Sequence, residues 1–365
     1  MRRFDIVRAW GRILAGREPS MSIEITRRCP LSCPGCYAFS ESHLGEAGSL
    51  RHVMDFEGDE LVQRVLAIVD THKPLHLSIV GGEPLVRYRE ITKLLPALEK
   101  RGIHTQIVTS AVRPIPPEWR QSRKLNIVVS IDGLQPEHDK RRSPATYEKI
   151  LRHIEGHSIT VHCTVTRQMT ERAGYLREFV EFWTGRPEVV KIWTSLYTPQ
   201  KGETSCEVLP PDIREQVISD LSRLRDEFRK LQLPGGLLSA FRIPPSSPDR
   251  CVFALTTQTI SADLKTVVKP CQLGGRPDCA QCGCVAAAAL EAVSRHRLPL
   301  GIRPGEIFAA SRVLGLWFRN LRRSLGRKPL QQTASPIDGG GGLIRKPQSI
   351  THVGFLGAEK AENPG

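Results

Sequence analysis

Between residues 22 and 200, short runs of β-branched and apolar residues alternate with longer stretches whose apolar positions recur every three or four residues. The first pattern has the reach of a strand and the second the period of a helix. The short runs predict strands at Ser22–Thr26, Leu75–Val80, Thr105–Thr109, Ile127–Ile131, Thr160–Val165 and Val190–Ser195. Helices are predicted near Asp59–Val69, Glu90–Lys100, Ala145–Glu155 and Glu171–Trp183, with Gly102 where a helix-closing glycine belongs. Such alternation builds a parallel sheet, either an open α/β sheet or a partial (β/α)6 TIM-like barrel. In both, chemistry is expected at the carboxyl ends of the strands.

The pattern changes at Pro210. Pro211–Leu231 reads as one charged helix, and LPGGL and IPPSSP read as linker. Beyond it, Thr257–Ser261 and Thr266–Lys269 suggest a hairpin, VAAAALEAV a helix, and GEIFAASRVLGLWFRNLRRSLG a second helix. The expected organisation is therefore a basic amphipathic segment (1–20), a core barrel (21–205), a helix with linker (206–250), a Cys-rich extension (251–300), a basic amphipathic helix (301–328) and a disordered tail (329–365).

Composition narrows the class. With 365 residues the chain has material for about two domains, and its 25% charged, 40% hydrophobic make-up is that of a globular protein. No apolar run is long enough to cross a bilayer, and Arg interrupts the first residues too often for a secretory signal, so a cytoplasmic location is expected. Ten cysteines in such a chain point to metal or redox chemistry rather than disulfides.

Three of them stand in CPLSCPGCY: Cys29, Cys33 and Cys36, directly after the first predicted strand. Three thiolates on one short loop suit three irons of a [4Fe–4S] cubane, leaving the fourth iron open to a chelating ligand. Zinc, the alternative, prefers four ligands in two pairs, and no second pair lies nearby. Gly81-Gly82-Glu83-Pro84 follows the second strand, and Ser130-Ile131-Asp132-Gly133 ends the fourth. Glycines let a backbone approach closely, and Glu83 offers an anionic acceptor.

Together these motifs resemble the radical S-adenosylmethionine (radical SAM) superfamily over about residues 20–200. The resemblance implies that Cys29, Cys33 and Cys36 hold a reducible [4Fe–4S] cluster whose open iron is chelated by S-adenosylmethionine. It implies that Gly81, Gly82 and Glu83 form the motif holding the methionine amino group, and that Ser130 and Asp132 contact ribose. Ser110, Thr164 and Thr166 are weaker candidates. Relatives carry a large residue before the third cysteine, beside the adenine, where this chain has Gly35; Tyr37 or backbone contacts are the expected replacements. The implied activity is reductive cleavage of S-adenosylmethionine to a 5′-deoxyadenosyl radical that abstracts hydrogen from a peptide, a lipid or a small metabolite. A reductant such as flavodoxin or ferredoxin is then implied as partner. A non-catalytic iron–sulfur or zinc protein, and an RNA-modifying relative, are the alternatives.

A second group, Cys251, Cys271, Cys279, Cys282 and Cys284, resembles an abbreviated SPASM or twitch extension, which implies one auxiliary [4Fe–4S] cluster. A closed zinc site remains the alternative there. Cys163 and Cys206 stand alone and read as incidental thiols.

The net charge of +14 is uneven. Residues 305–328 hold six basic residues against Glu306, and residues 1–20 hold five against two acidic. On the later helix, Val313, Leu314, Trp317, Phe318, Leu321 and Leu325 share one face, with Arg312, Arg319, Arg322 and Arg323 opposite. On the opening segment Phe4, Val7, Trp10 and Leu14 oppose Arg8 and Arg12. The later helix is expected to pack its apolar stripe on the barrel and leave its basic face in solvent. Peripheral contact with the inner face of a membrane is the alternative. Lys140-Arg141-Arg142 is read as a solvated loop. Nucleic acid is not expected as a partner, because no aromatic platform accompanies the basic residues.

Overall fold

The computed structural model describes residues 3–298, 301 and 303–324. Helix α1 (Arg3–Leu14) leads into β1 (Ser20–Glu24), and α2 (Gly58–His72), β2 (His76–Val80), α3 (Tyr88–Lys100) and β3 (His104–Thr109) follow. Then come β4 (Leu125–Ser130), the short helices α4 (Glu137–Arg141) and α5 (Tyr147–His153), β5 (Ile159–Val165), α6 (Tyr175–Thr184) and β6 (Val189–Leu196). The C-terminal part comprises α7 (Pro211–Glu227), α8 (Gly235–Arg242), α9 (Val252–Thr256), β7 (Thr257–Ile260), α10 (Val285–Arg295) and α11 (Pro304–Ser324). All six expected strands form, within one or two residues of their predicted ends. The tail expected at 329–365 lies outside the described residues.

The sheet is parallel throughout, in the order β6-β5-β4-β3-β2-β1-β7, and curls as a partial barrel. Alternation along its strands assigns the two faces. Leu77, Ile79, Ile107, Val129, Val161 and Val165 are buried within the main hydrophobic core. The alternate positions His76, Ser78, Gln106, Ser130, His162 and Ser195 line the lumen. Low in the lumen, side chains join neighbouring strands: Thr160 donates to Asn126 (3.1 Å), Asn126 to Gln106 (3.2 Å) and Gln106 to Ser78 (3.4 Å).

Three expectations are corrected. Thr257–Ile260 is not only one arm of a hairpin but also the seventh strand, pairing parallel with β1 from Ser20↔Thr257 to Ile23↔Ile260. Without it, β1 would expose a row of unpaired backbone groups at the sheet edge. The expected hairpin forms beside this pairing: Ile260 and Val267 make an antiparallel bridge, with backbone bonds from Ser261 N to Thr266 O (2.8 Å) and from Val268 N to Thr259 O (2.9 Å). The Asp263 carboxylate accepts from the backbone N–H groups of Lys265 and Thr266 at this turn. Next, the expected LPGGL linker is the start of α8. Burial of Leu237, Leu238, Ala240 and Phe241 outweighs the helix cost of its two glycines. Finally, α11 packs on α1, and Val313, Leu314, Trp317, Phe318 and Leu321 face outward rather than onto the barrel.

Candidate active site

The cysteine loop leaves the carboxyl end of β1 and is laid down against the end of β2. At Gly82 a Cβ would come within 2.2 Å of the Arg28 carbonyl oxygen; at Gly81, where φ is 117°, it would come within 2.9 Å of Glu24 Cα. The Gly82 N–H donates to Thr26 O (2.8 Å) and the Glu83 N–H to Arg28 O (2.9 Å). The glycines were expected to admit a ligand. Both line the cavity that holds Glu83, and their tightest contact is with the chain that carries Cys29.

Cys29, Cys33, Cys36 and Glu83 all line one cavity of about 1100 Å³ at the carboxyl ends of the strands, together with Ser130 and Asp132. Glu83 is almost fully buried, and burial raises its pKa while hydrogen bonds from Thr109, Leu85 and Ser110 oppose the rise. Its Oε1 accepts from the Thr109 hydroxyl and from Leu85 N–H (2.9 Å), and its Oε2 from Ser110 N–H (2.8 Å). Three donors leave room for about one more on a carboxylate with roughly four lone-pair sites.

Burial raises the pKa of all three thiols, that of Cys29 to about 12. A bound cationic metal would reverse this preference for the protonated form. Among the described residues no three potential ligands converge on the position of a single ion. A cubane asks for something different, since its irons take thiolates spread around a cluster. Soft sulfur donors on a short loop facing a roomy cavity fit that demand.

Arg141 and Arg142 are not the solvated loop residues expected. Arg142 Nε donates to Asp132 Oδ2 (2.8 Å) and its Nη1 to Ser110 Oγ (2.8 Å). Arg141 donates to Asp132 Oδ2 (3.3 Å), Glu207 (2.7 Å) and the Pro34 carbonyl (3.1 Å), between Cys33 and Gly35. Burial pushes the Asp132 pKa up, but Arg142 and Arg141 outweigh it, so the carboxyl sits well below its usual range. Its Oδ1 also accepts from Thr164 N–H (3.3 Å). Asp132, expected at ribose, is thus tied to two guanidinium groups that line the same cavity.

Gly35 is met by Tyr197, the residue just beyond β6. Gly35 has φ 64°, and a Cβ there would lie 2.7 Å from the Tyr197 hydroxyl and 2.9 Å from its ring. Tyr197 lines the cavity and donates to Glu203 (2.7 Å). Tyr37 turns toward the extension: its ring lies 5.6 Å from that of His43, and its hydroxyl meets Gln272. His43 in turn bonds Glu24 of β1 (2.7 Å), whose second oxygen accepts from Ser261 (2.7 Å). A buried polar chain therefore ties the cysteine loop to the Cys-rich segment.

In that segment burial raises the pKa of Cys251, Cys271, Cys279, Cys282 and Cys284, and Cys282 lies close enough to the other four to add to their rise. Cys284 also lines the main cavity. Gly283, between Cys282 and Cys284, is stitched to the end of β6 by Leu196 N–H (2.9 Å) and by the Thr198 hydroxyl (2.8 Å). A Cβ there would come within 2.1 Å of the Leu196 oxygen, so only glycine fits. Cys163 is buried against Met169, and Cys206 is exposed near Gln168; neither approaches the other thiols.

Residues 23–166 match the family described as the radical SAM superfamily. A PqqA peptide cyclase of Rhizobium meliloti (strain 1021) is 30% identical over 125 residues, 33% of this chain and 31% of that protein. One from Rhodopseudomonas palustris (strain ATCC BAA-98 / CGA009) is 33% identical over 90 residues, 25% of this chain and 22% of that protein. The chain thus spans under a third of these curated relatives. Among solved structures, Streptococcus suis SuiB bound to S-adenosylmethionine aligns with TM-score 0.52 at 17% identity, covering 71% of this chain and 62% of that one. SuiB bound to precursor peptide SuiA gives 0.50 at 17% identity, with 71% and 61% covered. These share the fold.

Proposed function

Residues 23–166 being a radical SAM domain, we propose that the protein cleaves S-adenosylmethionine reductively and uses the resulting 5′-deoxyadenosyl radical to abstract hydrogen from a peptide. The observation that carries this reading is the placement of Cys29, Cys33, Cys36 and Glu83 on one cavity at the carboxyl ends of parallel strands. Cys29, Cys33 and Cys36 would hold the [4Fe–4S] cluster, which when bound and reduced supplies the electron for cleavage. Glu83 has one acceptor site left for an ammonium, and Thr109, Leu85 and Ser110 hold its carboxylate in place. Arg141 and Arg142 fix Asp132 and the Pro34 carbonyl, which stiffens the loop. Tyr197, packed on Gly35, takes the place expected for an adenine-facing aromatic. Cys251, Cys271, Cys279, Cys282 and Cys284 would hold an auxiliary cluster, and a flavodoxin or ferredoxin would deliver electrons.

A peptide is favoured because the relatives are named peptide cyclases and a structure sharing the fold holds a precursor peptide. The cavity, about 1100 Å³, is also larger than one drug-sized ligand usually requires. Anaerobic reduction of iron-loaded protein with S-adenosylmethionine should release 5′-deoxyadenosine, and Cys33→Ala should abolish it. No release from a fully loaded preparation refutes the activity. A cell extract that stimulates release should lose its effect after protease digestion; a protease-resistant stimulus refutes the peptide.

A further inference from the structure

Helix α11 is turned the opposite way from a helix that covers a core. It meets α1 through glycine: a Cβ on Gly315 would lie 2.2 Å from the Ile13 carbonyl oxygen, and one on Gly16 would lie 2.7 Å from the Gly315 oxygen. Phe308 packs near Trp10, with ring centroids 6.4 Å apart, and Arg319 donates to the Gly16 carbonyl (3.1 Å). Backbone contact of this kind uses the small-residue face. The stripe of large apolar residues is left over, with Val313 69%, Trp317 56% and, on α1, Val7 67% exposed. Soluble monomers rarely leave so continuous an apolar surface open.

We propose that the outward faces of α1 and α11 form a docking surface for an anionic lipid bilayer. The positive charge carried by these two helices selects this occupant. Arg8, Arg12 and Arg17 are clustered, and burial followed by repulsion from Arg17 and Arg8 lowers the Arg12 pKa. On α11, Arg312 lies partly exposed, Arg319 turns back onto the Gly16 carbonyl, and the sequence continues through Arg322, Arg323, Arg327 and Lys328. A basic amphipathic helix with Trp and Phe on its apolar side lies in the headgroup plane of a bilayer. It does not span it, since no described helix is long and apolar enough to cross. A twofold pairing of the same face would set this arginine cluster against its own copy, which like charges oppose. Docking would also leave the active site free. Asp5 of α1 meets His104 (3.6 Å), the first residue of β3, so α1 lies under the amino ends of the strands and the cysteine loop lies at the other rim.

The test is co-flotation of the full chain with vesicles of phosphatidylcholine alone or with about 30% phosphatidylglycerol added. The bound fraction should rise about tenfold on the anionic vesicles and fall again in about 0.5 M salt. W317E/F318E should lower it about tenfold with iron content and far-UV circular dichroism unchanged, and V313E should act in the same direction. Binding needs no turnover, so it stands or falls apart from the catalytic reading. The proposal is overturned if the full chain stays unbound, or if W317E/F318E floats like the parent. It is equally overturned if the parent is a dimer that W317E/F318E dissolves. Binding that emerges only on deleting residues 329–365 would assign the face to that segment instead.

Discussion

The departure at Gly35 is the residue whose environment changes the reading of its neighbours. A glycine with φ 64° tolerates a position that costs other residues about 1–2 kcal/mol. Here it also makes room for the Tyr197 ring, which a side chain would strike at 2.9 Å. Position 35 and Tyr197 therefore share one space, and substitutions at the two should not be additive. Gly35→Ala alone should lower stability and reduce iron incorporation, as should Tyr197→Ala. The double variant should be less impaired than the sum by about 1 kcal/mol in denaturant unfolding. Strict additivity would mean that the ring does not rest on the loop. The cysteines, Gly81, Gly82 and Glu83 could be singled out in the sequence because each motif is contiguous, and they line one cavity. Arg141 and Tyr197 were not, because only the fold delivers them. Arg141 reaches Pro34 across 107 residues, and nothing in Lys140-Arg141-Arg142 distinguishes a buried pair from a wet one.

Among the elements, the six strands were legible because β-branched runs punctuated by helical periods fix a parallel sheet. The pattern alone does not say which face is wet. Ser78, Gln106 and His162 look like solvent-facing positions, yet they line the lumen of the partial barrel. The pairing of β7 with β1 and the helix α8 were missed for a common reason: each depends on a partner remote in sequence. For β7 that partner is β1, reinforced by the Ser261 hydroxyl donating to Glu24 (2.7 Å). Ser261→Ala removes a donor from a buried carboxylate and should cost about 1–3 kcal/mol. The loss should be local. Amide exchange should quicken over residues 257–275 and in the cysteine loop through His43, while β3–β6 keep their protection. Uniform quickening across the sheet would show that β7 is not a separately fastened edge.

At the scale of the whole molecule, the partial barrel and the Cys-rich C-terminal segment share one wall. Cys284 faces the same cavity as Cys29, Cys33, Cys36 and Glu83, and its neighbours Cys251, Cys271, Cys279 and Cys282 gather behind it. Burial raises the pKa of these thiols, that of Cys271 to about 12, and so favours their protonated form. A bound metal changes the sign of that preference by stabilising thiolates. If the second group holds its own cubane, removing the first site must leave the second loaded. A Cys29→Ala/Cys33→Ala/Cys36→Ala variant, reconstituted anaerobically, should retain about four irons and the charge-transfer absorption of an iron–sulfur centre, against about eight irons in the parent. It should release no 5′-deoxyadenosine. One zinc and no iron would make the extension a structural knot closed by four thiolates. Loss of all metal with the fold intact would remove the extension from the chemistry. The tie from His43 through Glu24 to Ser261 makes a further demand, because the two sites share their support. Losing the second group by Cys271→Ala/Cys282→Ala should therefore lower iron in the first as well, whereas the reverse loss should be small.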